Sequence, residues 1–174
     1  MQKAIGLVLV STLLIAGCGK TLEKDVVGKW AYEITQPVTE DNVKGQAVLK
    51  CVSEFFPNKS LTHECDMAIS MAGEGDGPKI EIEGTAKATG EWSVKEQTLF
   101  DKTVDGKIDV KKFLVNGEVV TDKNALESME KAFANPFMKG ETTAYVTKSF
   151  DGKTWIFDQD LDAKTKVTTT ATRQ

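Results

Sequence analysis

The chain has 174 residues, with 26 acidic and 22 basic side chains and a net charge of −4. The charges are interspersed and form no basic patch, which argues against nucleic-acid binding. The length fits one domain, and the plentiful Thr and Val favour pleated, half-buried strands.

The chain opens Met1-Gln2-Lys3 and continues as an apolar run from Ala4 to Ala16. One positive charge before a run of about 12 apolar residues is the layout of a secretory signal peptide; spanning a bilayer takes roughly 20. A buried N-terminal helix would instead show a polar face, and this run offers only Ser11 and Thr12. The run ends Leu14-Ile15-Ala16-Gly17-Cys18, which resembles the lipobox of bacterial lipoproteins. The resemblance implies cleavage before Cys18, diacylation of its thiol and acylation of the new amino terminus. Several acyl chains at about 0.8 kcal/mol per buried methylene make a lasting anchor. Gly19 stands where an Asp would hold such a protein in the inner membrane, so the resemblance implies an outer-membrane location in a Gram-negative cell. The organisation expected is a signal peptide at 1–17, a lipidated cysteine and polar tether at 18–26, and one domain at 27–174. Lys3 is the only charge in the first 17 residues, so the remainder carries a net charge of about −5.

Strand-like segments follow at about 27–35, 45–56, 60–70, 79–88, 89–95, 98–104, 107–116, 141–149, 153–159 and 164–172. Period-two alternation marks several of them: Ala47, Leu49, Cys51 and Ser53 share one face, and Glu81 and Glu83 alternate with Ile80 and Ile82. Between Cys51 and Cys65 the chain reads as two strands about the turn Pro57-Asn58-Lys59, which sets the cysteines opposite each other. An exported domain sits where disulfides persist, and closing a loop of about 15 residues contributes roughly 3 kcal/mol. Asp105-Gly106, Asn116-Gly117, Asp151-Gly152 and the Gly73 to Pro78 loop supply turn chemistry. One helix is expected near 122–134. Asp122 can cap it, Leu126, Met129 and Phe133 form an apolar stripe, and Asn135-Pro136 ends it. Such a stripe packs on a core or lids a pocket. The fold class is mainly β, a meandering barrel or an open β-sandwich.

Candidate chemistry is sparse. Gly19-Lys20-Thr21 has the end of a phosphate-binding loop, but the glycine required five residues earlier is Leu14. Asp158, Asp160 and Asp162 have the spacing of the first calcium ligands of an EF-hand, yet Ala163 and Thr169 replace its glycine and its bidentate Glu. A solvated acidic turn accounts for them. His63 is the only histidine, in phase with Leu61 and Cys65, and a lone histidine does not build a typical zinc site. No serine or cysteine motif surrounds it and no carboxylate pair is singled out. The expectation is a non-enzymatic chain with no catalytic residue, no metal and no cofactor.

Gly28-Lys29-Trp30 opens the first strand, Gly90-Glu91-Trp92 falls mid-chain, and Gly152 precedes Trp155 by three. The first is similar to the Gly-x-Trp signature of lipocalins and bacterial lipocalin-like domains, and Phe55-Phe56-Pro57-Asn58-Lys59-Ser60 with Gly90-Glu91-Trp92 through Leu99 also looks like that pattern. The resemblance implies an antiparallel barrel over most of 27–172 whose closed end is plugged by Trp30, with Gly28 permitting close approach. It also implies a basic residue from the last strand packed on that Trp, and Arg173 is the only arginine. Two features depart from it: the helix precedes the last strands, and the strand segments number about ten instead of eight. The leading expectation is a barrel held to the outer membrane, facing the periplasm and binding an apolar small molecule or lipid. The alternative is a protein-interaction module, an inhibitor, immunity or envelope-assembly factor.

Overall fold

Alternating apolar and polar residues build strands here because one face can then be buried while the other meets water. The computed structural model describes residues 18–40, 43–75, 77–133, 140–160 and 165–174. In chain order the described elements are α1 (Cys18–Asp25), β1 (Gly28–Glu40), β2 (Val43–Phe55), β3 (Ser60–Gly73), β4 (Lys79–Lys95), β5 (Thr98–Val115), β6 (Glu118–Val119), α2 (Lys123–Phe133), β7 (Thr142–Phe150), β8 (Thr154–Asp160) and β9 (Lys166–Arg173).

All pairings are antiparallel. β1 to β5 form a meander, β5 pairs with β7, β7 to β9 form a second meander, and β9 returns to β1. The sheet therefore closes into an eight-stranded, lipocalin-like barrel, with β6 a two-residue addition beside β5. Closure removes the free edges that an open sandwich would leave.

The walls are unequal. β1 to β5 run 13 to 18 residues, whereas β7, β8 and β9 run 9, 7 and 8. β9 meets β1 only from Trp30 to Tyr32, and β7 meets β5 only from Thr98 to Lys102. Past Thr103, which still exchanges hydrogen bonds with Gly140 and Glu141, no residue of β7 or β9 among those described pairs with the long strands, so the two walls differ in height. Apolar side chains fill the barrel at two levels. One cluster gathers Trp30, Phe55, Leu61, Trp92, Leu99, Trp155 and Phe157 with Leu22 and Val26. The other gathers Ile69, Ile82, Ile108 and Phe113, with Leu126 and Met129 of α2 packed against it.

The ten expected segments merge where β5 changes phase. Segments 79–88 and 89–95 are both part of β4, and 98–104 and 107–116 are both part of β5. Asp105-Gly106, expected as a turn, lies inside β5. The register of β4 on β5 slips at Glu83/Gly84 and at Thr89/Gly90, each slip leaving one extra residue on β5, Lys111 and Val104. The inward face of β5 thus switches from Leu99, Asp101 and Thr103 to Ile108, and again to Phe113. A bulge interrupts alternation just as a turn does. Gly90 admits the second bulge, since a Cβ there would lie 2.4 Å from the Lys102 carbonyl oxygen.

The segment expected as a polar tether, 18–26, instead contains α1. Leu22 and Val26 are buried in the core, and Val26 N–H donates to the Leu22 carbonyl. α2 begins as expected, with Asp122 Oδ1 accepting from Ala125 N–H at 2.8 Å. The expected signal peptide at 1–17 and the Asn135-Pro136 stop lie outside the described residues. Among the described residues no helix is long and apolar enough to cross a membrane.

Candidate functional site

The closed end is assembled from the two chain termini of the domain. Trp30 is fully buried and stands directly opposite Arg173 in the β1–β9 pairing. The Arg173 guanidinium lies 4.6 Å from the centre of the Trp30 ring. Its Nη1 donates to the Val27 carbonyl at 2.9 Å, Nε to the Gly152 carbonyl at 2.7 Å, and Nη2 to the Asp25 carbonyl. One side chain thus ties α1, β1, β9 and the β7–β8 turn together. Gly28 has φ +127°, and a Cβ there would lie 2.9 Å from Arg173 Nη1. Trp92 is covered in the same manner by Lys59, whose Nζ sits 3.9 Å from its ring centre.

Cys51 and Cys65 face each other across β2 and β3 and form a disulfide. The same register sets Ser53 opposite His63. Both point inward, and with Tyr32, Asp101 and Tyr145 they form a polar layer on an aromatic floor. Tyr32 and Tyr145 each meet Phe157 edge-on, and Phe55 meets the His63 ring edge-on. Tyr32 Oη is 2.9 Å from Ser53 Oγ, Ser53 Oγ is 2.5 Å from His63 Nδ1, and His63 Nε2 is 2.6 Å from Asp101 Oδ2. Tyr145 Oη donates to the same Asp101 oxygen at 3.2 Å.

A carboxylate only accepts, so His63 Nε2–H donates to Asp101. Ser53 Oγ links Nδ1 to the Tyr32 hydroxyl, and the direction of those two bonds follows whether Nδ1 carries a proton. Burial resists phenolate formation: it pushes the Tyr32 phenol up to about 12 and that of Tyr145 well above its ordinary value, and nearby Asp101 adds to both.

Above this layer lies a cavity of about 410 Å³. Its deep wall is formed by Tyr32, His63, Asp101 and Tyr145, and its sides include Ile34, Leu49 and the disulfide. Its lip carries exposed Glu141, Thr142 and Asp160. Asp101 is 3 % exposed and Gln159 7 % exposed, and both line the cavity. Asp101 Oδ1 and Gln159 Oε1 nonetheless have no hydrogen-bond partner among the described residues. Ser53 is 1 % exposed and does not line the cavity, whereas its partners His63 and Tyr32 do.

Of the residues singled out from sequence, Gly28, Trp30 and Arg173 meet at the closed end, while the Cys51–Cys65 disulfide reaches the cavity wall. Cys18 begins α1. Asp158 faces outward, where the Thr168 hydroxyl and Lys148 hold its carboxyl below the usual range. Asp160 pairs with Lys166 at 3.7 Å, and Asp162 lies outside the described residues. No group of three or more His, Cys, Asp or Glu among the described residues could hold a metal ion. The described residues of α2 do not line the cavity. No model of a known protein family matches the sequence, and no curated protein matches it.

Proposed function

We propose that the chain is a non-enzymatic binding lipoprotein of the bacterial envelope, anchored in the outer membrane through lipid on Cys18 and holding a small molecule in its barrel. The observation that carries this reading is the 410 Å³ cavity inside the closed barrel. It combines apolar sides with a few convergent polar groups, which is the usual make-up of a small-molecule site. A barrel built only for rigidity would fill that space with side chains. Ile34 and Leu49 suit the apolar body of a ligand, and the polar floor suits one hydrogen-bonding end. Ser53 is buried and does not line the cavity, which favours binding over hydrolysis. The lipobox resemblance and Gly19 support the anchor and a periplasm-facing barrel.

The test is native and denaturing mass spectrometry of residues 19–174, exported so that the disulfide forms and purified without detergent. A mass excess that vanishes on denaturation, with a small molecule in the organic extract, is the expected result. A bare protein mass from every preparation would overturn the binding reading in favour of a protein-interaction module.

A further inference from the structure

Hydrogen bonds along the deep wall of the cavity converge on one carboxylate oxygen: Tyr145 and His63 Nε2 donate to Asp101 Oδ2, while Tyr32 bonds with Ser53. Two buried acceptors are left over, Asp101 Oδ1 and Gln159 Oε1. A buried acceptor without a donor is costly, more so when charged, so a ligand that supplies donors recovers that cost. The charges agree with the hydrogen bonds. Asp101, Glu141 and Asp160 line the cavity, while no Lys or Arg does among the described residues. A carboxylate ligand would meet repulsion from all three carboxylates.

Resting on the binding reading above, we propose that the cavity selects a small organic cation, a primary amine whose ammonium group docks between Asp101 and Gln159. Its apolar body lies against Ile34, Leu49 and the Cys51–Cys65 disulfide. An ammonium has three donors and no acceptor, which matches what the wall lacks. Glu141 and Asp160 at the lip draw the cation in, and salt screens that attraction.

Calorimetric titration of residues 19–174 with hexylammonium, 1-hexanol and hexanoate separates charge from shape. Hexylammonium is expected to bind at least tenfold more tightly than either analogue. Asp101→Asn is expected to erase that preference in a protein that still shows the native circular dichroism. If Asp101→Asn does not fold, Gln159→Leu is read instead and is expected to weaken hexylammonium severalfold. Glu141→Gln changes only an exposed lip residue and is expected to weaken it about twofold at low salt and hardly at all at high salt. Equal or tighter binding of hexanol or hexanoate overturns the proposal, as does an ammonium preference that survives Asp101→Asn or, where that variant does not fold, an affinity for hexylammonium that Gln159→Leu leaves unchanged. If none of the three probes binds while native mass spectra still show a bound molecule, the cation inference fails and the binding reading stands. If there is no bound molecule either, both fail.

Discussion

Both tyrosines of the chain belong to the polar layer, so alkali reports on that layer without interference from other phenols. Tyr32 is pushed from 10.0 up to about 12 by burial, which outweighs the opposing hydrogen bond with Ser53, and nearby Asp101 adds a smaller push. A raised value means the fold prefers the protonated phenol. The resulting stability is fully present below the unfolded value near pH 10 and is lost as pH rises through about 12. Two units at about 1.4 kcal/mol each make this roughly 2–3 kcal/mol for Tyr32. Tyr145 acts in the same direction. The assay is phenolate absorbance recorded alongside far-ultraviolet circular dichroism during a pH titration. Up to about pH 11 the folded protein is expected to show almost no phenolate, and the signal then rises together with loss of the sheet. Tyr32→Phe should halve the final amplitude. A phenolate that titrates near pH 10 while the circular dichroism stays native would refute the buried layer.

Further perturbations test the frame around the cavity. Arg173→Ala removes the contact on Trp30 and three bonds to backbone carbonyls, and is expected to cost about 1–3 kcal/mol in urea unfolding. Arg173→Lys should restore less than half of that loss, because an ammonium cannot span the three carbonyls. Gly28→Ala forces a side chain into φ +127° and against Arg173, and should destabilise by more than about 1 kcal/mol by the same assay. Reduction of Cys51–Cys65, or the paired Ala variant, is expected to cost roughly 3 kcal/mol while the β-sheet spectrum persists. Asp158 is held below its ordinary value by Thr168 and Lys148, so its contribution is present above about pH 4 and is lost as pH falls through the lower, folded value. Asp158→Asn should therefore flatten the acid limb of the stability curve, measured as the unfolding midpoint against pH.

Much of the frame could be read from local pattern. Alternation and turn residues located the strands, and the hairpin about Pro57-Asn58-Lys59 placed Cys51 opposite Cys65. The site itself was half legible. The register that pairs 51 with 65 also pairs 53 with 63, so Ser53 beside His63 was available in the sequence to a reading that carried the hairpin two residues further. Asp101 was not, because it lies on β5, two strands away from His63, and its place depends on how β4 pairs with both. The turn misread at Asp105-Gly106 has a similar origin: only the partner strand shows whether a break in alternation is a bulge or a reversal. α1 was missed because its apolar residues, Leu22 and Val26, are too few to mark a helix until the barrel end supplies a surface for them.

The central claim is that a small molecule occupies the cavity floored by His63 and Asp101. The chain has one histidine, so its imidazole gives a single set of long-range proton–nitrogen correlations. The account predicts a ring whose Nε2 carries a proton toward Asp101. Those signals should shift in a saturable way when residues 19–174 are titrated with an organic extract of bacterial envelopes. His63 signals that stay fixed through the titration, in a protein already shown by mass to be empty, would contradict it.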